Sequence, residues 1–313
     1  MSSQSDDSLP ESETLSLCST YKETIEIGGR VYQQLALEQE ITFTPVDEIE
    51  RESLDKQHRI FQYIFDERLI FPPIENPERI LDCGYGSAAW AFDVAEKYPD
   101  CQVIGIDITP HMKPEEMPRN LWLQIDDLNE PFTFQDKFDL VHSRNVAQGI
   151  DKGRWRSYIG DCARVVKPGG WLQFIEPYHV VQSDNGTLTD DHAVRQFSMQ
   201  YSDVLEGKKD VRAAMHLEAW FREAGLVDVE YTMIPIPLNA WSTNPRDRHI
   251  GELANGAYKE AIGSHCIYLF QEYLSMTTDE IHVLLARARQ DADNPSLRPY
   301  IPMYVCVGRK PNS

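Results

Sequence analysis

Residues 79–110 read RILDCGYGSAAWAFDVAEKYPDCQVIGIDITP. Arg79 to Cys83 is a short apolar run that closes on an acid and a small residue. Gly84-Tyr85-Gly86 is a turn that glycine makes at little cost, because such turns need positive φ or close backbone approach. Ala88 to Tyr98 has helical spacing, with Ala91, Val94 and Ala95 on one face. Pro99-Asp100 stops it, and Val103 to Ile106 is a second apolar run with Asp107 at its carboxyl end. The stretch predicts strand, glycine turn, helix and strand.

That order carries chemistry. The glycines let backbone N–H groups and a helix N-terminus approach a ligand. An acid at the end of the next strand, about 20 residues on, suits the two hydroxyls of a ribose. Asp82 directly precedes the turn, in D-C-G-Y-G. A carboxylate there suits the ammonium of a methionine moiety and would repel a pyrophosphate, which favours S-adenosylmethionine over a dinucleotide.

Working outward, the 313 residues suffice for one α/β domain with helical additions. The net charge is −20, which argues against nucleic acid and against an anionic membrane surface. A protein partner with a basic patch stays open. Six cysteines, at 18, 83, 101, 162, 266 and 306, form no C-x-x-C pair, and the expected state is reduced thiols in an intracellular protein. There is no apolar run of membrane-spanning length and no secretory pattern, so the expected place is the cytoplasm, with the nucleus open. H-E-x-x-H, EF-hand and P-loop patterns and a G-x-S-x-G elbow are missing, so no metal and no NTP site is expected.

Residues 1–20 are polar and acidic and read as a disordered tail. Residues 21–78 read as an N-terminal helical cover: Gly28-Gly29 as a turn, then 47–69 as a helix stopped by Pro72-Pro73. Residues 79–180 are expected to form the cofactor-binding α/β core. After Asp107 and Ile108 comes a Pro- and Met-rich loop, then a third strand, Leu121 to Ile125, ending on Asp126-Asp127 and Leu128. Phe138 to His142 reads as a fourth strand, with Ser143-Arg144-Asn145 at its carboxyl end, where open α/β sheets place ligands. A helix over Arg154 to Val166, a stop at Lys167-Pro168-Gly169-Gly170 and a strand from Trp171 to Ile175 follow, with Glu176, Tyr178 and His179 just beyond.

Residues 181–313 complete the same domain with acceptor-side helices and terminal strands. Helices are expected over Asp190–Leu205, Val211–Ala224, Ala254–Tyr273 and Thr278–Asp291, and strands over Val227–Ile236 and Tyr300–Gly308. The fold class that follows is α/β, with a mostly parallel sheet and an antiparallel last strand.

The 79–110 stretch resembles motif I and its following acid in class I, Rossmann-like S-adenosylmethionine-dependent methyltransferases, and most closely the LaeA-like branch of filamentous fungi. G-R-V-Y at 29–32, L-D-K-Q-H at 54–58, I-D-D at 125–127, F-D-L-V-H-S-R at 138–144 and K-P-G-G-W at 167–171 match as well. The resemblance covers most of 20–180. It implies S-adenosylmethionine as cofactor, puts the adenine contact on Asp127 ahead of Asp126, and draws attention to Tyr32 and His58. The cofactor set is then Asp82, Gly84, Tyr85, Gly86, Asp107, Ile108, Asp126, Asp127, Leu128, Ser143, Arg144 and Tyr32.

Methyl transfer from a sulfonium needs mainly alignment, helped by a base where the acceptor loses a proton. His179 is the first candidate base, with Glu176 orienting it or binding the acceptor. His111 and His142 are further candidates; His192, His216 and His265 could line the acceptor pocket, with the surface as the preferred place for each. The reading is a methyltransferase of a small-molecule acceptor, O- or N-directed, in fungal secondary metabolism. Two alternatives stay open. The family has a third glycine at Ala88 and a small residue at Tyr85, which motivates a repurposed cyclase or isomerase. The acidic surface and the LaeA resemblance motivate a regulatory protein with protein partners.

Overall fold

The computed structural model describes residues 19–135 and 137–312. The expected tail therefore lies almost wholly outside the described residues; its last two residues, Ser19 and Thr20, open a short 3-10 helix, Ser19–Lys22.

The N-terminal cover is not wholly helical. It starts as a hairpin of β1 (Thr24–Ile27) and β2 (Arg30–Gln33), paired antiparallel. Gly28 and Gly29 take φ of +58° and +75°, the two positive values that a two-residue hairpin loop needs. Then come α1 (Gln34–Glu38) and α2 (Glu48–Ile64). Asp47 caps α2 by accepting from Glu50 N at 3.0 Å. The same carboxylate accepts from Val31 N and takes both Nε and Nη2 of Arg30, at 2.7 and 2.8 Å. One acid thus joins hairpin to helix.

The sheet is built from β3 (Arg79–Cys83), α3 (Ala89–Lys97), β4 (Gln102–Asp107), β5 (Leu121–Ile125), β6 (Phe138–Arg144), α4 (Trp155–Val165) and β7 (Val166–Pro177). It is completed by α5 (Ala193–Leu205), α6 (Leu217–Glu223), β8 (Val227–Pro237), α7 (Pro245–Leu274), α8 (Thr278–Asp293) and β9 (Tyr300–Arg309). Seven strands lie in the order β5-β4-β3-β6-β7-β9-β8. β5 to β7 run parallel, and β9 is antiparallel to both its neighbours. The order reverses between β3 and β6, the switch point where such sheets open a crevice.

Side chains alternate along the central strands and divide between two layers. Leu81, Ile104 and Val141 pack with Trp155, Tyr158 and Ile159 of α4. Ile80, Val103 and Leu140 pack with Trp90, Ala91 and Val94 of α3. A separate cluster joins α5, α7 and α8 through Phe197, Tyr201, Ile262, Phe270 and Leu285.

Three expected boundaries differ. Lys167 to Gly170 lies inside β7, where the register with β6 shifts and Gly169 has φ +79°; the turn is a bulge within a strand. The segment over 211–224 breaks into a 3-10 turn, Ala213–His216, and the short α6. α7 begins at Pro245, because Asn244 accepts from Arg246 N and Asp247 N and proline suits the first helical position. Its polar opening turns hid that start. α8 is capped by Thr277 in a reciprocal box with Glu280. Among the described residues no helix is long and apolar enough to cross a membrane.

Candidate functional site

The turn after β3 is held open by its glycines. Gly84 and Gly86 have φ of +75° and +57°, and Ala88, which precedes α3, is also left-handed at 64°. A Cβ on Gly84 would stand 2.5 Å from Val146 Cγ1, so the close approach of this turn to the loop after β6 requires glycine. Asp107 braces the turn from the end of β4: Oδ2 accepts from Gly86 N at 2.9 Å and Oδ1 from Thr109 N at 2.9 Å. Burial raises its carboxyl above the usual range, against those bonds.

A cleft with an empty volume of about 1360 Å³ opens over this turn. Asp82, Gly84, Tyr85, Gly86, Asp107, Ile108, Asp127, Leu128 and Arg144, all expected at the cofactor, line it. Residues 41–46 and α2 contribute Ile41, Thr44, Glu50 and Gln57 to the lining. Burial pushes the Asp82 carboxyl up to about 7, with Arg144 opposing the shift and Asp107 adding to it. Arg144 stays a cation, although burial lowers it to about 10. It faces His58 Nδ1 at 3.3 Å, and His58 Nε2 meets Asp93 at 2.8 Å. Because a guanidinium only donates, Nδ1 accepts and His58 carries its proton on Nε2. The chain Asp93–His58–Arg144 thus ties α3 and α2 to the end of β6.

Four expected site residues do not line the cleft. Ser143 is fully buried and its hydroxyl accepts from Tyr158 on α4 at 2.9 Å. It shares a face with Val141, whereas His142 stacks on Trp90 of α3; successive strand residues cannot both face one ligand. Tyr32 is 0% exposed and packs among Leu37, Phe43 and Phe270, its ring 5.8 Å from that of Tyr268. Asp126 turns back to accept from the N–H of Asp127. Glu176, expected beside His179, instead accepts from Val146 N at 2.9 Å and Ala147 N at 3.2 Å, and burial pushes it up to about 8. Its role is to hold the loop after β6 onto the end of β7.

Behind the cleft lies a second chamber of about 860 Å³. Ser53, Gln57, Asn145, His179, Ala261 and His265 line both spaces and mark their junction. The His179 and His265 rings are 5.6 Å apart, and Tyr201 stacks on His265 at 5.8 Å. Gln148 Nε2 lies 3.3 Å from His265 Nε2 and can only donate to it, which leaves the His265 proton on Nδ1. Burial lowers His179 to about 4 and His265 to about 3, so both imidazoles are neutral at physiological pH. His265 was expected at the surface. Its place on α7 opposite β7 depends on helix packing, which no local pattern encodes. His142 lines the cleft, its ring against Trp90 and its Nε2 unpartnered among the described residues. His111, His192 and His216 line neither space.

Residues 80–170 match the family model described as a methyltransferase domain. That stretch is a methyltransferase domain, and the chain is an S-adenosylmethionine-dependent methyltransferase. This methyltransferase is 28% identical to methyltransferase pytC of Aspergillus terreus over 85% of this chain and 82% of the relative. It is 27% identical to the secondary metabolism regulator laeA of Monascus pilosus, over 92% of this chain and 78% of the relative. It is also 27% identical to the probable methyltransferase tdiE of Emericella nidulans, over 84% of this chain and 83% of the relative. S-adenosylmethionine is the cofactor of the methyltransferase. The residues around the cleft fit that molecule: carboxylates for an ammonium and a ribose, and a glycine turn that admits the ligand to the backbone.

Proposed function

We propose that the methyltransferase acts on a small-molecule acceptor, at oxygen or nitrogen, in fungal secondary metabolism. The observation that carries this reading is the joining of two spaces at His179 and His265. In it the outer cleft takes the cofactor, with Asp82 at its ammonium, Asp107 at its ribose and Asp127 at its adenine edge. When bound, the cofactor supplies an activated methyl group. The inner chamber holds the acceptor against the junction, where alignment supplies most of the acceleration. The neutral His179 can take a proton from an acceptor hydroxyl. The chamber, closed by α2 and α7, suits a metabolite better than a folded protein.

Tyr85 bears on the repurposed alternative. Its hydroxyl donates to Thr109 O at 3.1 Å, and its ring root lies where a Cβ on Gly105 would meet it at 3.2 Å. The ring is anchored on the β4 side by that bond, which favours transfer over a ring free to fill the methionine end. The relatives named as regulators keep a second reading, a regulatory protein with protein partners. Methyl-labelled cofactor separates the two. The enzyme is incubated with the dialysable metabolites of a fungal culture, or with its proteins. Label in a metabolite is the expected result; label in proteins alone would overturn the small-molecule reading.

The raised Asp82 predicts a pH dependence of cofactor binding. Below about pH 7 its carboxyl is protonated in the free protein. An ammonium needs the carboxylate, so binding there must expel a proton. Affinity for S-adenosylhomocysteine, which carries the same ammonium, should fall by up to about tenfold per pH unit below 7 and level off above it. Calorimetric titration from acid to neutral pH checks this. A slope that survives Asp82→Asn would assign the effect to another group.

A further inference from the structure

The two joined spaces differ sharply in charge. The outer cleft is lined by Glu50, Asp82, Asp107, Asp127 and Arg144. Among the described residues the inner chamber has no Asp, Glu, Lys or Arg in its lining. Its walls are Ile60, Phe61, Ile64 and Phe197 with Ile236, Leu238 and Met303. Arg144, which lines the cleft, stacks on the chamber-wall residue Phe61, its guanidinium carbon 4.7 Å from the ring centre.

Within these walls a few polar atoms lack partners. Tyr201 is 2% exposed and its hydroxyl has no hydrogen-bond partner among the described residues. The Tyr258 hydroxyl, on α7, is also buried and unpartnered. Both tyrosines line the chamber. A buried hydroxyl without a partner is costly, and native structures leave few of them. His179, 5.9 Å from the Tyr201 ring, adds a neutral imidazole that can accept. The set can give hydrogen bonds to an oxygen and take one from an O–H. It holds no charge to neutralise an ion, and burying an unpaired carboxylate or ammonium costs several kcal/mol in an apolar site.

We propose that the inner chamber selects an uncharged, largely apolar molecule bearing a hydroxyl, held by Tyr201, Tyr258 and His179. This deepens the small-molecule reading and rests on it. Carboxylic acids and amines, charged at neutral pH, are excluded by the lining rather than by size. Tyr258 supplies a hydrogen bond that an isosteric phenylalanine cannot.

Three probes of one shape test this: 2-naphthol, 2-naphthoate and 2-(aminomethyl)naphthalene, titrated at neutral pH into protein saturated with S-adenosylhomocysteine. The naphthol is expected to bind at least about tenfold more tightly than either ion, which corresponds to 1.4 kcal/mol. Tyr258→Phe should weaken the naphthol about three- to tenfold. Ala257→Trp, which fills the inner chamber alone, should abolish its binding. Folding of each variant is checked by its S-adenosylhomocysteine affinity, which should stay within about twofold. An ion binding as tightly as the naphthol, naphthol affinity unchanged in Tyr258→Phe, or no naphthol binding by the loaded protein would each overturn the inference. Absence of S-adenosylhomocysteine binding in wild type would instead strike the cofactor reading, so the two failures are distinct.

Discussion

Asp107→Ala is expected to lower affinity for S-adenosylhomocysteine by roughly 100-fold or more. The carboxylate holds Gly86 N and Thr109 N, and these bonds use only part of its accepting capacity. In our reading the remainder meets the ribose, where a hydrogen bond to a charged acceptor contributes about 1.5–3 kcal/mol. The variant loses those bonds and also frees the Gly86 turn that the ligand must approach. Calorimetry on folded protein reads the loss directly. An affinity within about threefold of wild type would remove Asp107 from the cofactor site.

The second large effect concerns the cover. Arg30 lies between Asp47, Glu50 and Ser264 Oγ, and so links β2, α2 and α7. Its side chain is 10% exposed. Removing one member of a buried ionic cluster leaves the others uncompensated, which costs about 3–5 kcal/mol. Arg30→Ala should therefore lower stability by about that amount in a denaturant titration, and the surviving protein should bind S-adenosylhomocysteine more weakly, because Glu50 and residues 41–46 wall the cleft. A change below about 1 kcal/mol would show that the hairpin and α2 are held by packing alone.

These two sites also show what the sequence makes legible. The turn at Gly84 and Gly86 is local: an apolar strand, two glycines, a helix and an acid in register, all within one βαβ unit. The helix start at Pro245 is also local, yet it hides behind polar turns without an apolar period. Ser143 illustrates a rule that the residues carry but that a reading by position at the strand end ignores. Its neighbours His142 and Arg144 share the opposite face and reach the cleft, whereas Ser143 points into the α4 layer. Glu176 sits where a catalytic acid is expected, but two free N–H groups of the next loop claim it. Tyr201 comes from α5, and Tyr258 and His265 from α7, far along the sequence. Their meeting at the chamber is a property of packing between α5, α7 and β7, and helical periodicity assigns them only to an apolar or aromatic face.

A crystal structure of the protein with S-adenosylhomocysteine tests the central claim most directly. The account predicts the ribose at Asp107, the amino group at Asp82, the adenine edge at Asp127, and the sulfur facing the junction at Asn145, His179 and His265, with the inner chamber still open. A ligand bound outside the cleft, or one whose tail fills the inner chamber and leaves no room for an acceptor, would contradict it.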